Sequence, residues 1–516
     1  MCTTGLKQSS KKTQRTFQRT HFLCLLCAAT IIIIIICVCL KNNKTAPAKI
    51  IYPNIRTDKN TRIPQHNDYL STGKHSTFKN GMNNKVKIIQ HQYNIANNIT
   101  TTGSNDSTNT DKPSNTEPLL MVCDVPVQSG PVIKVGEHKT YVIGSYVEHR
   151  LEVRKIKTVA IVLRSEKLDY YCLFCCDGKN ISIPAVYDIH SDHFNFEYGT
   201  ADIVCEMPTT CKTQLHVAIT AKSQEKSESV DNIQSFQPIR NQQPRKIFPY
   251  NFTVCISVMF DWNNVLELVQ TMEMFKILDV QKVAVYKTNC SSTTQKILDY
   301  YVKKDFVEII PWAVPDHIRV SRGWQKWASP GELHYFGQIA ALNDCVYRYM
   351  YQSEYVALQD LDELIIPMNG ITWTELLPQL QKIYSNYAGF EFESNVFPLS
   401  IKQWELNFHP DLWNKVPGVN ILQHVKRMRN DPSKFNDFKI IVNPRLVFKV
   451  TVHGLLESLG GTVRVDHNMT RMYHMRNVSS SDLSEGLLIE DTHLWDFADR
   501  LIPAVSEVLQ HVLNIH

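Results

Sequence analysis

An α/β fold with a parallel sheet, preceded by a small all-β segment and carried on an N-terminal membrane anchor, is the architecture the sequence predicts. Three observations carry it. From residue 245 strand-like and helical runs alternate, between 121 and 240 short β-rich runs follow one another, and residues 22–40 form a run without a single charge. Alternation of this kind implies right-handed βαβ units. The 516 residues are 43% hydrophobic and 20% charged, ordinary for globular domains, and allow two or three of them. The net charge of +5 is small and its basic residues are scattered, so no nucleic-acid partner is expected.

The tail, residues 1–21, holds Lys7, Lys11, Lys12, Arg15 and Arg19 and no acid. The apolar run Phe22–Leu40 has 19 residues, close to the roughly 20 that span a bilayer as a helix. The positive-inside rule then places the tail in the cytosol and the rest in the lumen, as a single-pass type II protein. A cleaved signal peptide is the alternative, but the run is long for one and no small-x-small cleavage site follows it. So short a span suits an early secretory membrane, and a Golgi location is expected. Sequons start at Asn43, Asn98, Asn105, Asn180, Asn251, Asn289, Asn468 and Asn477, all on the lumenal side.

Residues 41–120, rich in Asn, Thr, Lys and Ser, cannot bury enough surface to offset ordering entropy and read as a disordered stem. The β-rich segment 121–240 contains "TYVIGSYVE", "KTVAIVLRS", "YYCLFCC" and "QLHVAITA". The polar stretch that follows, "KSQEKSESVDNIQSFQPIRNQQPRK", reads as a linker. Nine of the 14 cysteines lie beyond residue 120. In an oxidising lumen most of them pair, leaving at least one free or intermolecular. "CLFCC" holds a Cys-x-x-Cys, yet no clear second pair completes a zinc site.

The α/β segment, 245–490, opens with strand "FTVCISVM" and helix "NVLELVQTMEMFKIL". Strand "KVAVYKTN", helix "STTQKILDYYVKKD" and strand "VEIIPW" come next. Helix "ELHYFGQIAALNDCVYRYM" leads into strand "YVALQDLDEL", and a capping-box pattern at Thr372 and Glu375 restarts a helix. Residues 491–516 are expected to form a C-terminal helix. Asp360 and Asp362, two apart on a strand, share a side, while Glu363 faces elsewhere. They stand at the carboxyl end of the strand, where open α/β sheets bind ligands. Two carboxylates there suit a hard cation, Mg²⁺ or Mn²⁺, with water and a diphosphate completing its shell. A solvated strand end with helix-capping acids is the plain alternative.

"FTVCISVMFDWNNVLELVQTMEMFKILDVQKVAVY", "GQIAALNDCVYRYMYQSEYVALQDLDELIIP", "VTVHGL" and "YHMR" together resemble glycosyltransferase family 92, over about residues 245–480. "GSYVEHR" resembles, more weakly, the segment before that family's catalytic domain. The resemblance implies a GT-A-like, Rossmann-type mixed sheet. It also implies transfer of a hexose, galactose from UDP-galactose, to galactose or fucose on glycans of glycoproteins or glycolipids, with inversion. The family's late His-Tyr-Arg reads His474-Met475-Arg476 here. Carried over, Asp360 and Asp362 bind the metal (Mn²⁺ or Mg²⁺) and the UDP diphosphate, and a late histidine, His453 or His474, is a further ligand. Asp261 meets the uridine or ribose, or is a turn residue. Gln338 and Asp344 lie on the helix before the acidic strand and are donor-binding candidates, with helix packing the alternative for Asp344. Trp324 and Trp327 stack on the acceptor sugar, or form their loop's own small core. Glu391 and Glu393 share a strand face, and Glu393 is favoured as the base that takes the acceptor's proton. The oligomeric state is open. Two rivals stand beside this reading: an inactive, lectin-like relative, and a glycoside hydrolase, whose two acids would flank the scissile bond instead of sitting two residues apart.

Overall fold

The computed structural model describes residues 120–516, apart from 129, 131, 212–213, 225–234, 404–407, 409, 432, 434, 480–482, 484–486 and 516. The tail, the apolar run, the stem to residue 119 and the sequons at Asn43, Asn98 and Asn105 lie outside the described residues. Among those described, no helix is long and apolar enough to cross a membrane.

The fold is mixed α/β, built on two nine-stranded sheets. The first contains β1 (Ile133–Lys134), β2 (Thr140–Glu148), β3 (Lys155–Leu163), β4 (Leu168–Cys176) and β5 (Lys179–Pro184). It is completed by β6 (Val186–Ile189), β7 (Tyr198–Glu206), β8 (His216–Ser223) and β9 (Gln237–Arg240). Their order is β5-β4-β8-β9-β2-β3-β7-β6, with β1 on β2. Strand β2 is buried at all nine positions, so it shows no polar alternation. One face, with Val142, Val147, Ile156 and Ala160, packs on Phe174 and Ile203. The other, with Tyr141, Tyr146, Val159 and Ile161, joins a core with Cys255, Tyr286, Ala341 and Val346 of the following segment. Strand β9 falls inside the stretch whose composition reads as a linker, and it pairs parallel with β2. Ile239 within it and Phe236 just before it are buried, while most of the surrounding run is polar.

The second sheet contains β10 (Tyr250–Met259), β11 (Lys282–Lys287), β12 (Val307–Pro311), β13 (Ser353–Gln359) and β14 (Glu363–Pro367). To these the chain adds β15 (Gly389–Pro398), β16 (Phe438–Val442), β17 (Val447–Thr451), β18 (Gly454–Ser458), β19 (Thr462–Arg464) and β20 (Thr470–Arg476), of which β17 and β18 form a separate hairpin. The order is β12-β11-β10-β13-β16-β15-β20-β14, with β19 on β15. The first four strands are parallel, as alternation predicts. Antiparallel pairing begins at β16 and makes the sheet mixed. Helices α1 (Val265–Ile277), α2 (Ser292–Lys303) and α3 (Gln338–Tyr349) lie in the crossovers. Asn264 caps α1 by accepting from Glu267 N, and Ser291 caps α2 by accepting from Thr294 N. Helix α4 (Trp373–Ile383) starts where the capping pattern places it, with Thr372 N donating to Glu375 Oε2 at 2.8 Å. The last helix, α5 (Ala498–Leu513), packs on α1.

Eight of the nine cysteines beyond residue 120 are paired: Cys123–Cys175, Cys172–Cys205, Cys176–Cys211 and Cys255–Cys345, with Cys290 free. Reduction is expected to lower the melting temperature markedly, since a native bridge in such domains contributes about 2–5 kcal/mol. Thiol counting on the unreduced protein that finds most of the nine reactive would reject the pairing.

One element differs from its sequence reading in a way that matters for function. "YVALQDLDEL" is not one strand. Strand β13 ends at Gln359, Asp360-Leu361-Asp362 turn, and β14 starts a new strand paired antiparallel with β20. Glu363 N donates to Asp360 O at 3.3 Å across the turn, and Thr271 Oγ1 of α1 donates to Leu361 O at 2.9 Å.

Candidate active site

A cavity of ≈ 810 Å³ opens at the carboxyl ends of the parallel strands β10 and β13. Strand β10 ends in a bulge between Ile256 and Met259, where Val258 has φ 50°. A β-branched residue in the left-handed region is strained, and such strain concentrates at functional sites. The bulge holds Ser257 so that its Oγ accepts from Gln338 Nε2 at 2.9 Å. A second left-handed stretch, Tyr335 (φ 33°), Phe336 (φ 56°) and Gly337 (φ 79°), sets the start of α3 beside it.

The acids of the turn form the cavity floor together with one buried cation. Lys439 of β16 lies 2.8 Å from Asp360 Oδ2 and 3.3 Å from Glu363 Oε2. Burial alone would strip the ammonium of its proton, but the two carboxylates overcome this and raise its pKa above the usual range. Asp360 Oδ1 faces Gln338 Nε2 at 3.4 Å. His474 of β20 stands 3.6 Å from Asp362 Oδ2 through Nε2 and 3.6 Å from Glu363 Oε1 through Nδ1. Glu363 is only 3% exposed, and burial raises its pKa against the pull of Lys439. Asp362, 34% exposed, moves the other way: burial would raise its pKa, but His474 lowers it below the carboxylate range. His474 is raised in turn, burial being outweighed by Asp362 and Glu363. Contrary to the strand reading, Glu363 does not face elsewhere; its carboxylate turns back to accept from Asp360 N at 2.9 Å. Among the described residues no group of three acids, histidines or cysteines surrounds one point at metal-holding distances.

Residues 250–505 match the sequence model of the family described as Glycosyltransferase family 92. The chain carries a glycosyltransferase family 92 domain. It is 31% identical over 235 residues to "Glycosyltransferase family 92 protein F13G3.3" of Caenorhabditis elegans, 45% of this chain and 44% of that protein. The chain thus spans less than half the length of that relative. "Beta-1,4-galactosyltransferase galt-1" of the same organism is 19% identical over 373 residues, 69% of this chain and 78% of the relative.

The family 92 domain brings Gln338, Asp360, Asp362, His453, His474 and Trp324 to the cavity. His453 is held apart from the acid turn: its Nδ1 faces Phe438 O at 3.1 Å and its Nε2 faces Asp437 Oδ1 at 3.8 Å. Trp324 lines the cavity and is 62% exposed, whereas Trp327, 83% exposed, is not part of the lining. Asp261 stands just outside, paired with Arg322 Nη2 at 2.5 Å and bonded by Asn289 Nδ2 at 2.9 Å. Asp344 is not at the cavity. It is a fully buried residue of α3 and accepts from Tyr146 at 2.5 Å, Tyr286 at 2.6 Å and Arg348 at 2.9 Å, so it joins the two sheets. Gly144 sits against it, where a Cβ would come within 2.6 Å of Asp344 Oδ1. Glu393 also stays away from the cavity. Arg464 on β19, beside β15, draws both Glu391 (3.7 Å) and Glu393 (3.8 Å). Of the described sequons, Asn180, Asn251, Asn289, Asn468 and Asn477 are exposed, with the Asn289 amide bonded to Asp261.

Sequence reasoning missed Lys439, Asp437 and His334, turned Glu363 away from the site, and named Arg476 within the His474-Met475-Arg476 motif without giving it a role. For Lys439 a signal existed: a lysine inside the apolar strand "FKIIV" demands a buried carboxylate partner. His334 is stacked on Phe194 of the first sheet's segment at 4.2 Å, and burial lowers its pKa to about 4, so it is neutral at working pH. Nothing in its local sequence marks it.

Proposed function

We propose that this protein is a glycosyltransferase that moves a hexose, galactose from UDP-galactose, to a sugar hydroxyl of a glycan with inversion at the anomeric carbon. The observation that carries the reading is the turn Asp360–Asp362 opening on a cavity at the carboxyl end of a parallel sheet, inside a family 92 domain. A GT-A-like arrangement accounts for the four parallel strands continued by a mixed half-sheet. The relative named as a β-1,4-galactosyltransferase supports the donor.

The donor set suits Mn²⁺ or Mg²⁺: a carboxylate oxygen of Asp362 and an imidazole nitrogen of His474, 3.6 Å apart on the cavity wall. Such an ion supplies positive charge for the departing diphosphate. Asp360, with both oxygens occupied by Lys439 and Gln338, fixes the turn that presents Asp362. Trp324 offers its exposed ring to a sugar face. With Glu393 drawn off by Arg464, the cavity carboxylate of Asp437 takes the role of base.

The reading extends to the whole chain as a type II Golgi protein, with residues 1–21 cytosolic, 22–40 in the membrane, a stem, and the remainder lumenal. The four disulfides and the exposed sequons suit that compartment. Glycosidase treatment should increase the gel mobility of the expressed protein; an unchanged band with the C-terminus cut by protease from the cytosolic side would reject the orientation. The activity is tested by UDP release from UDP-galactose with Mn²⁺ and a mixed glycan acceptor. Sugar binding without UDP release would favour a lectin, and metal-independent release of sugar from glycan a hydrolase.

A further inference from the structure

We propose that Arg476 is the residue that receives the diphosphate of a nucleoside-diphosphate donor, an inference that rests on the glycosyltransferase reading. Three carboxylates, Asp360, Asp362 and Glu363, line the cavity floor. An anion cannot settle beside them unless positive charge faces it from the protein or a bound ion. The Arg and Lys side chains of the lining are Arg322, Lys439 and Arg476. Lys439 is engaged by Asp360 and Glu363, and Arg322 by Asp261. Arg476 is the one among them with no carboxylate partner among the described residues.

Its position follows from the strand that carries it. Met475 of β20 is buried in the core, so His474 and Arg476, two residues apart, present the opposite face. Met475 N donates to Asp362 O at 3.1 Å, and Arg476 O accepts from Leu399 N at 3.1 Å. The backbone is therefore tied on one side to the acid turn and on the other to the end of β15. Arg476 is exposed and lines the cavity, as do Asp362 and His474. A planar fork of donors matches two phosphate oxygens, and an uncommitted one loses no salt bridge on binding.

The experiment is binding of UDP, uridine and inorganic pyrophosphate to the purified full-length protein by calorimetry, at fixed Mn²⁺. Arg476→Gln is expected to weaken UDP and pyrophosphate roughly 10- to 100-fold, as for loss of a hydrogen-bonded charge pair, and to leave uridine unchanged. Arg476→Lys should fall between, keeping the charge and losing the fork. The exposed side chain makes both variants compatible with folding, which thermal melting checks. An Arg476→Gln protein that binds UDP within twofold of wild type overturns the assignment, as does an equal loss for UDP and uridine, which would mark a structural role. Wild-type protein that binds neither UDP nor pyrophosphate overturns the glycosyltransferase reading itself.

Discussion

Asp362→Asn is expected to abolish nearly all sugar transfer while leaving the protein folded. The side chain is one-third exposed and contributes no packing to the core, so the melting temperature should stay close to that of wild type. What the substitution removes is a full negative charge beside His474 and the oxygen best placed to hold a cation. Charge stabilisation of a leaving group by such an ion contributes several kcal/mol, and each 1.4 kcal/mol is tenfold in rate, so a fall of about 10²- to 10³-fold is anticipated. EDTA should reproduce the loss in wild type, and added Mn²⁺ should restore wild type alone. A folded variant that keeps most of its metal-dependent turnover would remove Asp362 from the metal site.

Lys439→Met should act on stability instead. The lysine is 4% exposed and balances Asp360 and the buried Glu363. Removing one member of a buried ionic group strands the others, at a typical cost of about 3–5 kcal/mol. The sign of the pH dependence follows. Glu363 already has a raised pKa in the fold through burial, and Lys439 is the largest influence holding it down. Without the lysine the folded protein keeps that proton to higher pH than the unfolded chain does. Stability of the variant therefore falls as pH rises through that window, and the deficit shrinks on moving from pH 7 toward pH 5. Adding Glu363→Gln to Lys439→Met should recover part of the loss at pH 7. Denaturant unfolding at the two pH values reads both effects; a deficit below 1 kcal/mol at pH 7 would show that the cluster is not held by Lys439.

The parallel half of the catalytic sheet was legible because its strands and helices each carry their own period, and because Asn264, Ser291 and Thr372 mark helix starts locally. The approach of Asp360, Asp362 and His474 to one cavity was also within reach of the sequence. Other features escaped for a common reason. Periodicity states which side of an element is apolar, not which distant side chain meets it. Glu363 was assigned away from the site on strand alternation, and the turn after Gln359 cancels that alternation. Glu393 lay on a plausible strand face, yet Arg464, 71 residues later, takes it. Asp344 sat on a motif beside the acidic strand, and its partners Tyr146 and Tyr286 come from two other strands. Strand β9 was hidden because a few apolar residues scattered through a polar run make no strand alternation, and its pairing with β2 is set by a partner almost a hundred residues upstream.

The apolar face that β2 and β3 present to α3 has a consequence for biogenesis. Contacts across it span long stretches of chain: Tyr146 reaches Asp344 at a separation of 198 residues, and Arg150 reaches Val447 at 297. As the chain emerges, the first sheet is complete by residue 240 but half of its surface has no cover until α3 and then β17 are synthesised. At the roughly 5–20 residues per second of translation, that leaves an interval of several seconds or more with Tyr141, Tyr146, Ile161 and Tyr198 facing water. Acquisition of the native state is thus gated by a late closure of high contact order, and slow folding with a need for chaperones is the expected outcome. A nascent chain arrested after residue 240 should bind a hydrophobic dye strongly, and the complete chain should not.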